Sequence, residues 1–299
     1  MYQNNEDILL NALLLQGEIR VMAVSGKELV KEAQRVHALS RVCTAALGRQ
    51  LMATAMMASQ LKHEDESLTT ILRGDGPVGN LVCTGRYGAK VKGYVANPGV
   101  ELPPTPAGKL DVGGAVGREG KLTVVRDLYL REPYVGETSL VSGEIAEDFA
   151  QYFAVSEQQP GIVYLGVRVR PETGEVLSAG GLIAQPLPGC PDEALSALQD
   201  AAPAIAGLAR MLEEKPLAEA LAELFKDMEL EITGELGPLW ECDCSRERTE
   251  RALIALGRGE LRDMIAQDGG AELTCQFCRK AYLFTAEALT ALLREAGGA

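Results

Sequence analysis

The chain has 299 residues, 46% of them apolar and 24% charged, a balance that excludes general disorder and allows about two domains. Lys plus Arg number 29 against 42 Asp plus Glu, so a net charge of -13 offers no broad basic face to a nucleic acid. Seven cysteines, four of them after residue 240, speak against a secreted disulfide framework and for a reducing compartment with a metal site.

The first residues, Met1 to Asp7, are acidic and lack the basic flank of a signal peptide, and the apolar run Ile8 to Leu15 is short. The apolar stretch Val42 to Met57 is broken by Arg49 and Gln50 and falls short of the roughly 20 residues a membrane span needs. A soluble cytoplasmic protein is expected. Glu18 to Val24 reads as a strand, and Lys27 to Leu61 as one helical run, with Leu29, Val36, Leu39, Val42, Ala46, Met52 and Met56 near helical spacing. Short strands are predicted at 68–72, 80–83, 90–95 and 121–128, between Gly, Pro and Asp clusters. Ser142 is a candidate cap for a helix reaching Phe153, and strands follow at 162–169 and 175–185. Helices interrupting a meander of strands predict an α+β fold over residues 1–185.

Pro186-Leu-Pro-Gly-Cys-Pro191 breaks the pattern. Residues 191–237 hold 11 acidic and 3 basic side chains, and helices are predicted at 192–199, 203–214 and 216–228. Two readings are open. One is a small helical domain; the other is a linker (186–237) whose short, like-charged helices need a surface to dock against, because isolated helices under ~12 residues are marginal in water. The last region, 238–299, carries the cysteine cluster.

Within that region Cys242-Asp-Cys244 and, after 30 intervening residues, Cys275-Gln-Phe-Cys278 bring four thiolates to one chain segment. Four sulfurs form a closed tetrahedral shell for Zn²⁺, and C-x-x-C is the spacing of a knuckle that aims both sulfurs at one ion. Soft ligation by four cysteines suits Zn²⁺ or an iron–sulfur centre, and with no further cluster ligands in the sequence one Zn²⁺ per reduced chain is expected, held by Cys242, Cys244, Cys275 and Cys278. Ser245 is a candidate cap for a helix over 247–256, 259–267 reads as another helix, and 272–275 with 281–284 as a hairpin around the knuckle. The metal has a plain role, folding about 60 residues too few to stabilise themselves. It has a second, because a free cysteine of pKa near 8.5 is only about 3% thiolate at neutral pH, whereas a metal keeps all four ionised and oxidisable. Arg246, Arg248, Arg251, Arg279 and Lys280 either offset the charge of that centre or contact phosphate.

Other features carry less. The loop Gly113-Gly-Ala-Val-Gly117-Arg-Glu-Gly120 precedes a strand, lacks a Walker lysine, and reads as a turn. His37 and His63 are each alone, and no His/Ser/Asp or His/Cys spacing singles out a hydrolase, although such triads need not be local in sequence, so no catalytic residue is assigned. Cys43 and Cys83 lie in apolar runs as packing residues, Met52, Met56 and Met57 read as core, and Cys190 sits between two prolines with no partner identified.

The chain resembles the redox-regulated 33 kDa chaperonins (the heat shock protein 33 family) along its full length. The resemblance lies in Cys242-Asp-Cys244-Ser-Arg-Glu-Arg248, Cys275-x-x-Cys278 and Tyr282-Leu-Phe284, supported by Leu140 to Phe149, Val155-Ser-Glu-Gln158 and Leu187-Pro-Gly189. It implies an ATP-independent holdase that is inactive while reduced and zinc-bound. Oxidation would then form Cys242–Cys244 and Cys275–Cys278 disulfides, release zinc, unfold the C-terminal domain and linker, and yield a homodimer that holds unfolding client proteins. No nucleic-acid or membrane partner is implied. Two readings of other classes predict different behaviour: a nucleic-acid-binding zinc ribbon, and a thiol–disulfide oxidoreductase, for which no thioredoxin-like context surrounds the C-x-x-C.

Overall fold

In the computed structural model, which describes residues 7–295, the apolar run after Asp7 is a strand. This β1 (Ile8–Leu14) passes through a one-turn 3-10 segment, Leu15–Gly17, into β2 (Ile19–Ser25). The predicted helical run to Leu61 is two helices, α1 (Lys27–His37) and α2 (Arg41–Ala58). No Gly or Pro marks the break. Ala38 turns left-handed at φ 48°, and Ser40 then restarts the helix, its Oγ accepting from the Cys43 N–H at 3.2 Å.

Next come β3 (Ser67–Gly74), β4 (Leu81–Arg86), β5 (Lys90–Val95), α3 (Val112–Val116), β6 (Gly120–Asp127), β7 (Tyr134–Ser139), α4 (Ala146–Val155), β8 (Ile162–Val169) and β9 (Val176–Pro186). Two local expectations change. Part of the Gly113 loop is the short helix α3, because the Asp111 side chain accepts from the Gly114 N–H at 2.9 Å. Ser142 does not cap α4; the buried Asp148 carboxylate instead gathers the N–H groups of Val141, Ser142, Gly143 and Ile145.

The acidic stretch forms α5 (Asp192–Ile205), α6 (Leu208–Met211) and α7 (Leu217–Leu224), then β10 (Glu231–Leu236) and β11 (Leu239–Trp240). Pro203 lies inside α5 rather than opening a new helix. Strand β10, within the linker region, and β11, just beyond it, have no counterpart in the predicted elements. Each is an edge strand: β10 pairs antiparallel with β1, and β11 parallel with β5.

Two sheets result, ordered β10-β1-β2-β9-β8 and β11-β5-β4-β3-β6-β7. Helix α2 lies in the core against strands of both. Every residue of α2 except Arg41 and Arg49 is buried, as expected of a helix apolar all round. Among its polar members, Gln50 Nε2 donates to the Thr70 carbonyl at 3.0 Å, and Thr54 Oγ1 meets Thr70 Oγ1 at 2.8 Å.

The inner strands β1, β2 and β9 of the first sheet are largely buried on both faces. Leu9, Met22 and Val24 belong to the core around α2, whereas Leu10, Ala12, Leu14, Ile19, Val21 and Ala23 face the second core, under α5–α7. Leu198, Leu208, Leu217, Leu221 and Phe225 complete that second core from the helical side. The acidic segment therefore covers an apolar sheet face. Contacts divide the chain between Glu241 and Cys242, rather than after residue 237, because Leu239 and Trp240 extend the second sheet. The second compact unit contains α8 (Arg246–Leu256), α9 (Arg258–Asp263), a π turn (Met264–Asp268), β12 (Gly270–Thr274), β13 (Ala281–Thr285) and α10 (Ala286–Glu295).

Candidate metal centre

The four sulfurs come from two tight turns. Cys242 and Cys244 precede α8, which Ser245 caps by accepting the Arg248 N–H at 3.2 Å. Cys275 and Cys278 occupy the turn between β12 and β13. That turn closes through the Arg279 N–H donating to the Cys275 carbonyl and the Cys275 N–H to the Lys280 carbonyl, both at 2.9 Å, with Arg279 left-handed at φ 63°. Below lies a core of six buried side chains, Leu253, Leu261, Tyr282, Phe284, Leu289 and Leu292.

The four Sγ atoms all lie within 4.8 Å of one another. Cys242 and Cys275 are 3.7 Å apart, Cys244 and Cys278 3.4 Å. Four sulfurs about 2.3 Å from one ion would be separated by about 3.8 Å, so the arrangement fits a tetrahedral metal shell. All four residues are half-buried. The four expected cysteines are thus brought together by the fold.

The sulfurs are not equivalent. Burial pushes the Cys242 and Cys278 thiols up. Burial also opposes ionisation of Cys244, yet the Tyr282 hydroxyl and the neighbouring thiols donate to it, and together they hold it below the ordinary value. Tyr282 Oη is 3.1 Å from Cys244 Sγ, a contact that the sequence motif contains but does not reveal.

Three of the five basic residues, Arg246, Arg248 and Lys280, make local side-chain contacts. The Arg246 guanidinium lies 4.3 Å from the Phe284 ring centroid and donates to the Leu283 carbonyl. Arg248 pairs with Asp243 at 2.5 Å, and the Lys280 ammonium stands 5.1 Å from the Tyr282 ring centroid.

Residues weighed elsewhere have packing roles. Cys43 and Cys83 are fully buried, and burial raises both thiols. Met52, Met56 and Met57 are core residues, and the buried His37 ring places Nε2 2.9 Å from the Gly93 carbonyl. Cys190 is half-buried, its thiol pushed up by partial burial and by the Glu18 and Asp192 carboxylates, the reverse of an activated cysteine. Among the described residues no helix is long and apolar enough to cross a membrane.

Residues 7–285 match the family described as Hsp33 protein. The chain is 41% identical to the 33 kDa chaperonin of Caldanaerobacter subterraneus subsp. tengcongensis, over 97% of this chain and 99% of the relative. It is 44% identical to the 33 kDa chaperonin of Acetivibrio thermocellus, over 97% of each. The crystal structure of the 33 kDa chaperonin (heat shock protein 33 homolog) from Thermotoga maritima superposes with a TM-score of 0.88 at 35% identity, covering 98% of this chain and 100% of that one. With a family match along nearly its whole length, relatives aligned end to end and the same fold in a solved homologue, the chain belongs to the Hsp33 family of 33 kDa chaperonins.

Proposed function

We propose that the protein is a redox-regulated, ATP-independent holdase, latent while its four cysteines are reduced around Zn²⁺ and active once they are oxidised. The observation that carries this reading is the apolar face of the first sheet, Leu10, Ala12, Leu14, Ile19, Val21 and Ala23, covered by the acidic helices α5–α7. A segment bearing 11 acidic residues among residues 191–237 covers apolar surface yet stays soluble when detached. The uncovered face then offers unfolding clients the kind of surface they expose.

Zinc, when bound, supplies the C-terminal unit with on the order of 10 kcal/mol of folding free energy. The cysteines make that supply conditional. Two thiolates with one hydrogen peroxide and two protons give one disulfide and two waters, and the bond, about 2.05 Å long, is far shorter than the roughly 3.8 Å between two sulfurs of a tetrahedral zinc shell. No tetrahedral shell survives that contraction. Pairing of Cys242 with Cys244 and of Cys275 with Cys278 follows from their closeness in sequence once the two turns part. Client holding by a homodimer in the cytoplasm completes the reading.

Light scattering from a heat-unfolding client, followed together with zinc release, tests it. The peroxide-treated protein is expected to suppress aggregation and the reduced protein not to. Equal protection by both forms refutes the switch, and salt-dependent binding of RNA or DNA by the reduced form would favour a zinc ribbon. Replacing Cys242 and Cys275 by Ser should abolish tight zinc binding; an unchanged stoichiometry refutes the ligand assignment.

A further inference from the structure

Tyr282 lies on β13 with its ring buried, on the same strand face as Phe284, two residues on, while Leu283 between them is exposed. Burial leaves the ring little freedom, and its hydroxyl points at one sulfur, Cys244 Sγ, 3.1 Å away. The Lys280 ammonium over the same ring, 5.1 Å from its centroid, draws on the π face and makes the phenol a stronger donor. The knuckle turn itself is closed by backbone bonds, the Arg279 N–H to the Cys275 carbonyl and the Cys275 N–H to the Lys280 carbonyl, both at 2.9 Å. Those bonds come with the turn of any such knuckle. The phenol does not, for it depends on a tyrosine at this strand position.

A hydrogen bond to a thiolate draws charge off sulfur and lowers its nucleophilicity, and bonds to charged groups are roughly twice as strong as neutral ones. We propose that Tyr282 is a positioning residue for the metal centre, its hydroxyl shielding Cys244 from electrophiles and leaving it less reactive than the other three ligands would make it. This rests on the reading of Cys242, Cys244, Cys275 and Cys278 as metal ligands. It adds a residue-specific control of which sulfur an electrophile meets, set by a side chain that is not itself a ligand.

The test uses the full chain, reduced and zinc-loaded, treated with iodoacetamide, with initial single-hit alkylation rates read at each cysteine by peptide mass spectrometry. Tyr282→Phe keeps the ring and removes the hydroxyl. Cys244 alkylation is expected to rise about tenfold relative to the other three cysteines, the factor for losing a hydrogen bond to a charged group. Leu292→Ala, which loosens the same core without touching a sulfur, should leave the relative rates unchanged. Uniform acceleration at all four cysteines in Tyr282→Phe, or no change at Cys244, overturns the proposal. In the Co²⁺-substituted protein, Tyr282→Phe should move the sulfur-to-cobalt charge-transfer band to longer wavelength, because the sulfur lone pair is no longer stabilised by the phenol; an unmoved band also overturns it. If the unsubstituted chain shows no such band with Co²⁺, the ligand reading fails, and the proposal with it.

Discussion

Ser178 Oγ donates to the carbonyl oxygen of Ala209 at 2.5 Å, joining β9 of the first sheet to the short helix α6 of the acidic segment. The Ala209 N–H in turn donates to Tyr164 Oη on β8 at 3.3 Å, so both backbone groups of one linker residue are satisfied by sheet side chains. Arg168, further along β8, pairs with Glu213. Gly166 lies between Tyr164 and Arg168 on β8 and opposite Gly180 of β9, leaving a floor without side chains on which Ala209 rests. The acidic segment is thus docked by specific polar contacts as well as by the apolar core beneath it.

Ser178→Ala removes the donor and leaves the Ala209 carbonyl buried without a partner, at a cost of about 1–3 kcal/mol. The urea midpoint should fall, and amide exchange at residues 208–212 should quicken more than in α2. On the holdase reading the reduced variant also gains partial activity in the light-scattering assay. Exchange at 208–212 identical to that of the unsubstituted chain would show that this bond does not hold the segment down.

Gly166→Ala acts at the same seat by sterics. A Cβ at this position would lie 2.3 Å from Tyr164 Oη and 2.8 Å from Ala209 Cβ, so α6 must lift or Tyr164 must swing away from it. Overpacking of this kind costs about 1–3 kcal/mol. Because both substitutions release the same contact, the double variant should be less destabilised than the sum of the single ones, measured by chemical denaturation.

Asp7 makes stability depend on pH. Its buried carboxyl accepts from the Glu28 N–H at 2.9 Å and the Leu29 N–H at 2.6 Å, capping α1. Burial nevertheless raises its pKa from an ordinary 3.8 to about 6, the two amide bonds pulling only partly back. The unfolded chain then ionises first, so the stability Asp7 contributes is full below pH about 4 and is lost as pH rises through about 6. A rise of that size corresponds to about 3 kcal/mol. Asp7→Asn retains an accepting oxygen that does not titrate, and its stability should vary less over that window in urea titrations at stepped pH. A slope equal to that of the unsubstituted chain would assign the effect to another group.

Chelation of the reduced chain should unfold residues 242–299 while the first unit persists. The six-residue core around Leu253 and Phe284 is small against the on-the-order-of 10 kcal/mol that zinc supplies to such a domain. Amide exchange is expected to lose protection at Leu253, Leu261, Tyr282 and Phe284 and to keep it through α2. Persistent protection in the second unit without metal would refute the staple.

Legibility in the sequence followed the range of the interaction. Most strands of the second sheet and the hairpin around the knuckle are flanked by Gly, Pro or Asp turns, and they were read close to their true bounds. The run Ile8 to Leu14 was not read as a strand, because Leu9 enters one core while Leu10, Ala12 and Leu14 enter another, erasing the alternation that marks a strand with one wet face. The break at Ala38 was hidden because an alanine adopts the conformation usually left to Gly. Strand β10, Glu231-Ile-Thr-Gly-Glu-Leu236, has little apolar pattern of its own, and only its pairing with β1 from the far end of the chain makes it a strand.

The sequence by itself picked out the four cysteines positioned to hold a metal, since thiolates in two short-spaced pairs are a local signal, and it located the acidic segment by charge alone. Only the tertiary structure decided what that segment covers, which residues seat it, and which sulfur faces Tyr282. Those depend on burial and strand register between residues far apart in the chain, where composition and periodicity carry no information about the partner.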